Sequence, residues 1–283
     1  MTDAPPVLAV HGIGNHQAGS PQDAAALLAG QWQPRLAAGY AAAGLTGQPV
    51  PRLAAAYYAH RLAEPQAQGP GDDALSSLTD NQKLVAAALL TAAGVPAPTQ
   101  PQGPVTMPLR QALDWLAARR GVAAQTLGRV VVAFAREVYV YLSHPGRRQR
   151  ARDCVAEALA QHRPRVVLAH SLGSVVTYET LHAHPELAPE LLVTLGSPLG
   201  LPGAVFEALD PEPLAGRGAR PPGVARWVNL ADPGDLVALP RRLGDRFPVD
   251  QHAEAYVGRL DFHTLGGYLG SGMTAAAMAP YAG

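Results

Sequence analysis

The sequence predicts an α/β protein: a mostly parallel sheet with helices on both faces. Three observations lead there. Short apolar runs of strand length alternate with segments of helical spacing along most of the chain. The run VLAV (7–10) ends in His11-Gly12, as a buried parallel strand does where it meets its βα loop, and RVVLAHS (165–171) is the clearest strand of all. The 283 residues are 48% hydrophobic and only 16% charged, enough apolar material to cover a sheet on both sides. Composition also excludes function classes. With 22 basic and 22 acidic residues the formal net charge is zero, which argues against nucleic acid as a partner. One cysteine, Cys154, rules out an intramolecular disulfide and a cysteine-rich zinc site. The first residues, MTDAPP, have neither a basic nor an apolar signal region. The most apolar stretch, Leu84–Ala97, is shorter than the roughly 20 residues of a membrane span. A soluble, cytoplasmic protein is expected.

The elements follow in chain order. VLAV (7–10) is a strand ending in His11-Gly12, and residues 23–43 read as a helix interrupted or kinked at Pro34. LAAAYYA (53–59) is a second strand. Residues 61–146 then break the alternation and read as a helical insert in a core of 1–60 and 147–283. Thr79 and Gln82 offer a capping box for a first insert helix, and a Pro-rich linker spans 96–108. LRQALDWLAARR ends at Gly121. In a third helix Leu127, Val131, Phe134, Val138 and Tyr141 paint one apolar stripe. This insert is either packing or a cap over a substrate pocket. A helix at 147–162, the strand RVVLAHS (165–171), a helix at 173–183 and the strands LLVTLGSP (191–198) and ARWVNLAD (225–232) complete about five parallel strands joined by right-handed crossovers.

Chemistry concentrates where the strand 165–171 meets its helix. In Ala169-His170-Ser171-Leu172-Gly173 a sharp turn exposes the Ser171 hydroxyl at the carboxyl end of the sheet, beside the positive end of the following helix. Small residues two positions either side allow strand and helix to approach.

With VHGIG (10–14), AHSLG, TLGSP (194–198) and NLADPGDLVALP (229–240) before a late His263, the chain resembles the α/β-hydrolase family, lipase- and esterase-like members especially. The resemblance runs from Val7 to about Tyr268, is weakest over 61–146, and implies an α/β-hydrolase fold with a trimmed sheet. It also implies a Ser–acid–His order. His182 and His184 lie at the far end of the elbow helix, so the base is His263, in DFHTLGGY, with His252 the alternative. The acid lies on the turn Asp232-Pro233-Gly234-Asp235. Asp232 suits a turn-capping job, and Asp235, leading into LVALP as in many lipases, is favoured. The oxyanion donors are the amides of Leu172 and Ile13, with Gly12 next. GIG is followed by Gln17 where a dinucleotide fingerprint needs glycine. His11, His16 and His60 have no metal-ligand spacing, so neither cofactor nor metal is expected. Cys154 reads as a small core residue, and Arg147, Arg148, Arg150 and Arg152 as a solvated face or a contact for an acidic carrier.

The expected function is a serine hydrolase acting on a small-molecule ester, thioester or amide with an apolar acyl part. The same triad could transfer the acyl group, as in a transferase, cyclase or peptidase. The other class is a non-catalytic binding module on the same fold.

Overall fold

The computed structural model of the chain describes residues 7–63, 75–96, 106–258 and 263–281. Six strands form one all-parallel sheet: β1 (Val7–Val10), β2 (Leu53–Ala56), β3 (Val166–His170), β4 (Leu191–Leu195), β5 (Arg226–Ala231) and β6 (Gln251–Glu254). Their order is β2-β1-β3-β4-β5-β6. The chain steps outward from β1 to β2, then crosses back to β3 and onward. The strand order therefore reverses between β1 and β3, the place where open parallel sheets leave a crevice at their carboxyl ends. The register Val10↔Ala169 sets His11-Gly12 beside His170-Ser171 at that crevice.

Alternate side chains feed two cores. Leu8, Val10, Val167 and Ala169 face one layer, while Val7, Ala9, Val166 and Leu168 face the other. On the second face lies α1 (Pro21–Ala42), with Ala24, Leu28, Trp32, Leu36 and Tyr40 buried at every fourth position. It packs with α8 (Leu265–Gly270) and α9 (Met273–Met278). Contrary to the expected interruption, α1 runs unbroken through Pro34.

The first face carries α2 (Ala59–Leu62), α3 (Asp80–Ala92), α4 (Thr106–Arg120), α5 (Ala124–Ser143), α6 (Pro145–His162) and α7 (Leu172–Ala183). Thr79 and Gln82 form the capping box that starts α3, and Gly121, in the left-handed region, follows the end of α4. Residues 97–105 of the Pro-rich linker, like residues 1–6, lie outside the described residues. All five stripe residues of α5 are fully buried within this core. The stripe thus serves packing along its length, and Leu127 also borders a cavity. No helix among the described residues is long and apolar enough to cross a membrane.

Two expectations are corrected by packing. Three of the four α6 arginines are engaged rather than free, with Arg150 left exposed: Arg148 is paired with the buried Glu179, and Arg152 with Asp210 at 2.8 Å. Arg147 donates to the carbonyl of Ala63. Cys154 is half-buried at the rim of the core rather than within it.

Candidate active site

Ser171 sits at the turn between β3 and α7 with φ +52° and ψ −130°, a conformation rare for a residue with a side chain. Such strain costs on the order of 1–3 kcal/mol and persists only where the surroundings enforce it. Here they do. The Ser171 amide donates to the Leu195 carbonyl at 3.0 Å, and the Ser174 amide to the Ser171 carbonyl at 2.9 Å. Ser174 Oγ also donates to that carbonyl and shares a hydrogen bond with Ser197 Oγ. A Cβ on Gly12 would lie 2.5 Å from Ser171 Cβ, and one on Gly173 would collide with the His11 carbonyl. Gly173 is required because backbone meets backbone there, and Gly12 because the Ser171 and His170 side chains press against it.

The Ser171 hydroxyl lies 3.0 Å from His263 Nε2. On the other side of the ring, His263 Nδ1 lies 2.8 Å and 2.9 Å from the two Asp235 carboxylate oxygens. A carboxylate can only accept, so Nδ1 carries the proton and Nε2 is free to accept from the serine. Asp235 is itself saturated. The Val237 amide donates to Oδ1 at 2.8 Å, and the Tyr268 hydroxyl to Oδ2 at 2.8 Å. All three residues of the chain are buried, Ser171 completely.

Asp232 takes the structural job. Its Oδ1 accepts from the Gly234 amide and its Oδ2 from the Val257 amide, while its backbone carbonyl closes the turn to Asp235. His252 is placed in β6, between Asn229 and Glu254, where it braces the sheet edge. His182 packs on Tyr178 and His184 pairs with Glu186. None of these four meets Ser171.

The loop after β1 is fixed by His11. Its Nε2 accepts from the amides of Tyr58 and Ala59, so Nδ1 donates to the Gly12 carbonyl at 2.8 Å. The ring stacks on Tyr58 at 4.1 Å. Burial drives its pKa down to about 4, against the help of the Gly12 hydrogen bond, so it is neutral. The amides of Ile13 and Leu172 donate to no acceptor among the described residues, as oxyanion donors must.

Several residues here escaped sequence reading. The Tyr268 hydroxyl, besides donating to Asp235, accepts from the Asp232 amide at 2.9 Å and so joins the two aspartates. Burial, then the charge of Asp235, holds its pKa well above the ordinary tyrosine value. His170 lies with its ring 4.9 Å from that of His263, fully buried, and neither ring nitrogen has a hydrogen-bond partner among the described residues. Burial, then the neighbouring His263 and His11, holds it well below the ordinary histidine pKa. The insert contributes Arg120, which donates to the Gly234 carbonyl, and Glu137, which accepts from the Gly14 amide. Any of these could have been a surface polar residue by sequence alone.

A cavity of about 550 Å³ opens between the insert and the acid turn, with Val122, Leu127, Pro233, Tyr256 and Val257 among its walls. No cluster of three or more His, Cys, Asp or Glu side chains suited to a metal ion occurs among the described residues. Comparison with family models, with curated proteins and with solved structures finds no match to this chain.

Proposed function

We propose that this protein is a serine hydrolase of the α/β-hydrolase type, cleaving a carboxylic ester, thioester or amide through an acyl-enzyme on Ser171. The observation that carries this reading is the continuous hydrogen-bonded chain from Ser171 through His263 to Asp235, placed at the strand-order reversal. Ser171 Oγ attacks the carbonyl carbon while its proton passes to His263 Nε2. Asp235 holds the ring and balances the imidazolium without taking the proton. The carbonyl oxygen becomes an oxyanion between the amides of Ile13 and Leu172, each donor contributing about 3 kcal/mol. The carbon–leaving-group bond then breaks, and the leaving group takes the proton from His263. Water repeats the cycle: its proton goes to His263, its oxygen to the acyl carbon, and Ser171 is released with its proton restored. The cavity beside the acid turn, walled by Val122, Leu127 and Val257 and by the charged Arg120 and Asp232, offers apolar wall for the acyl part of a small-molecule substrate, although neither Ser171 nor His263 lines it.

A fluorophosphonate is expected to label Ser171, and Ser171→Ala to abolish both labelling and turnover. Full turnover in that variant would overturn the reading.

A further inference from the structure

We propose that the helical insert braces both catalytic loops, with Glu137 and Arg120 as positioning residues for the reaction at Ser171. The proposal rests on the hydrolase reading of that site.

The oxyanion loop shows why a brace is needed. The Gly12 carbonyl is fixed by His11 Nδ1 and by Asn15 Nδ2, which sets the peptide plane whose other end is the Ile13 amide. The next peptide plane is gripped at both ends. Its carbonyl, that of Ile13, accepts from Asn15 Nδ2 at 2.9 Å, and its N–H, that of Gly14, donates to Glu137 Oε1 at 2.7 Å. Gly14 sits at φ +72° with no atom near a built Cβ, so neither a side chain nor packing restrains it. Among the described residues, Glu137 is the one grip on this loop that comes from the insert, 123 residues along the chain.

Glu137 is held where such a contact is expensive to keep. It rises from α5 between the buried Phe134 and Val138, and its Oε2 is closed off from water with no partner among the described residues. Burial raises its carboxyl pKa to about 7, with the Gly14 hydrogen bond opposing. A solvated helix face has no such cost.

At the acid turn the last residue of α4 plays the matching part. Arg120 Nη1 donates to the Gly234 carbonyl at 2.5 Å, and Arg241 Nη1 donates to the neighbouring Pro233 carbonyl at 2.9 Å. The turn that presents Asp235 to His263 is thus clamped from two sides, one of them the insert.

The test uses the full chain and the variants Glu137→Ala, Glu137→Gln and Arg120→Met. Amide exchange at Gly14 is followed together with kcat, KM and the rate of fluorophosphonate labelling. Glu137→Ala is expected to speed exchange at Gly14 and to lower kcat about 10- to 100-fold, the scale of a small misplacement of catalytic groups. KM should stay within about twofold, because no substrate contact is removed. Glu137→Gln keeps an accepting oxygen and should restore most of both losses. Arg120→Met should lower kcat about tenfold without changing exchange at Gly14. Unchanged Gly14 exchange in Glu137→Ala, or a Gln variant no better than Ala, overturns the brace. Failure of Ser171 to label in the wild type overturns the hydrolase reading instead, while the exchange result still decides whether Glu137 holds the loop.

Discussion

The turn at Ser171 and the helical insert solve opposite problems. At the turn, the backbone conformation of one serine follows from its immediate neighbours and from strands in fixed register: Gly173 two residues on, Gly12 across β1, Leu195 across β4. The insert instead acts at a distance, reaching Gly14 through Glu137 and Gly234 through Arg120 across more than a hundred residues of chain. Local stereochemistry presents the Ser171 hydroxyl, and tertiary contacts hold the loops around it. The same contrast explains the apolar stripe of α5. Its residues look available to a substrate in sequence, yet Phe134, Val138 and Tyr141 are wholly enclosed by other helices.

The strongest way to break this contrast is at the two aspartates, which share one turn but differ in what they hold. Asp235→Asn removes the charge that orients His263, and kcat should fall about 10⁴-fold, as when a protease triad loses its carboxylate. Asp232→Asn weakens hydrogen bonds to Gly234 and Val257, and should cost about 1 kcal/mol of stability with kcat lowered less than tenfold. Steady-state kinetics with urea unfolding of both variants checks the pair. Reversed phenotypes would make Asp232 the triad member.

What the sequence made legible follows the same line. Ser171 could be read because strand, serine and glycines lie within a few residues of one another. Asp235 and Asp232 were separable because a turn has a first-position residue with a known bonding habit. Strand β6 was not legible: at the sheet edge its residues Gln251–Glu254 are half-exposed and carry no apolar period. His252 kept its place as an alternative base for the same reason, since only pairing of β6 with β5 sets it against Asn229. Tyr268, Glu137 and Arg120 left no local mark, because their partners are brought near by the packing of α8, α5 and α4. A polar residue on a helix reads as solvated until the helix has been docked.

A second test sets one buried group of the core loop against one of the insert. Folding lowers the His11 pKa from 6.5 to about 4, so the unfolded chain binds a proton that the folded one does not. His11 therefore stabilises fully above pH 6.5, and that contribution is lost as pH falls toward 4. Folding raises the Glu137 pKa from 4.5 to about 7, so the folded chain holds the extra proton. Its contribution is present below pH 4.5 and is lost as pH rises toward 7. The two slopes oppose each other between these limits. The His11 contribution is worth about 3 kcal/mol at full span. Glu137→Gln should expose the His11 slope, with unfolding free energy dropping as pH falls from 6.5. His11→Asn should expose the opposite one. Urea midpoints at several pH values decide, and parallel curves for wild type and Glu137→Gln would mean that burial at the brace has no energetic consequence.

The smallest expected effect concerns the face the insert turns toward the acid turn. The cavity there is walled by Val122 and Leu127 from the insert and by Pro233 and Val257 from the core, so an acyl chain entering it is removed from water on both sides. Each methylene so buried contributes about 0.8 kcal/mol, roughly fourfold in kcat/KM. Specificity constants for short acyl esters should therefore climb with chain length and stop when the 550 Å³ is filled. The residue to test is Val122, half-buried at the corner between α4 and α5, rather than the enclosed Phe134. Val122→Asn places an uncharged polar group in the wall, so that Arg120, which lines the same cavity, gains no competing charge, and it should flatten the climb while leaving the rate on the shortest ester within a few-fold. Because Glu137 and Arg120 stay in place, both loops remain braced, so a flattened series isolates substrate contact from loop positioning. A wild-type rate indifferent to acyl length would remove the cavity from the reaction and leave the insert with packing and bracing alone.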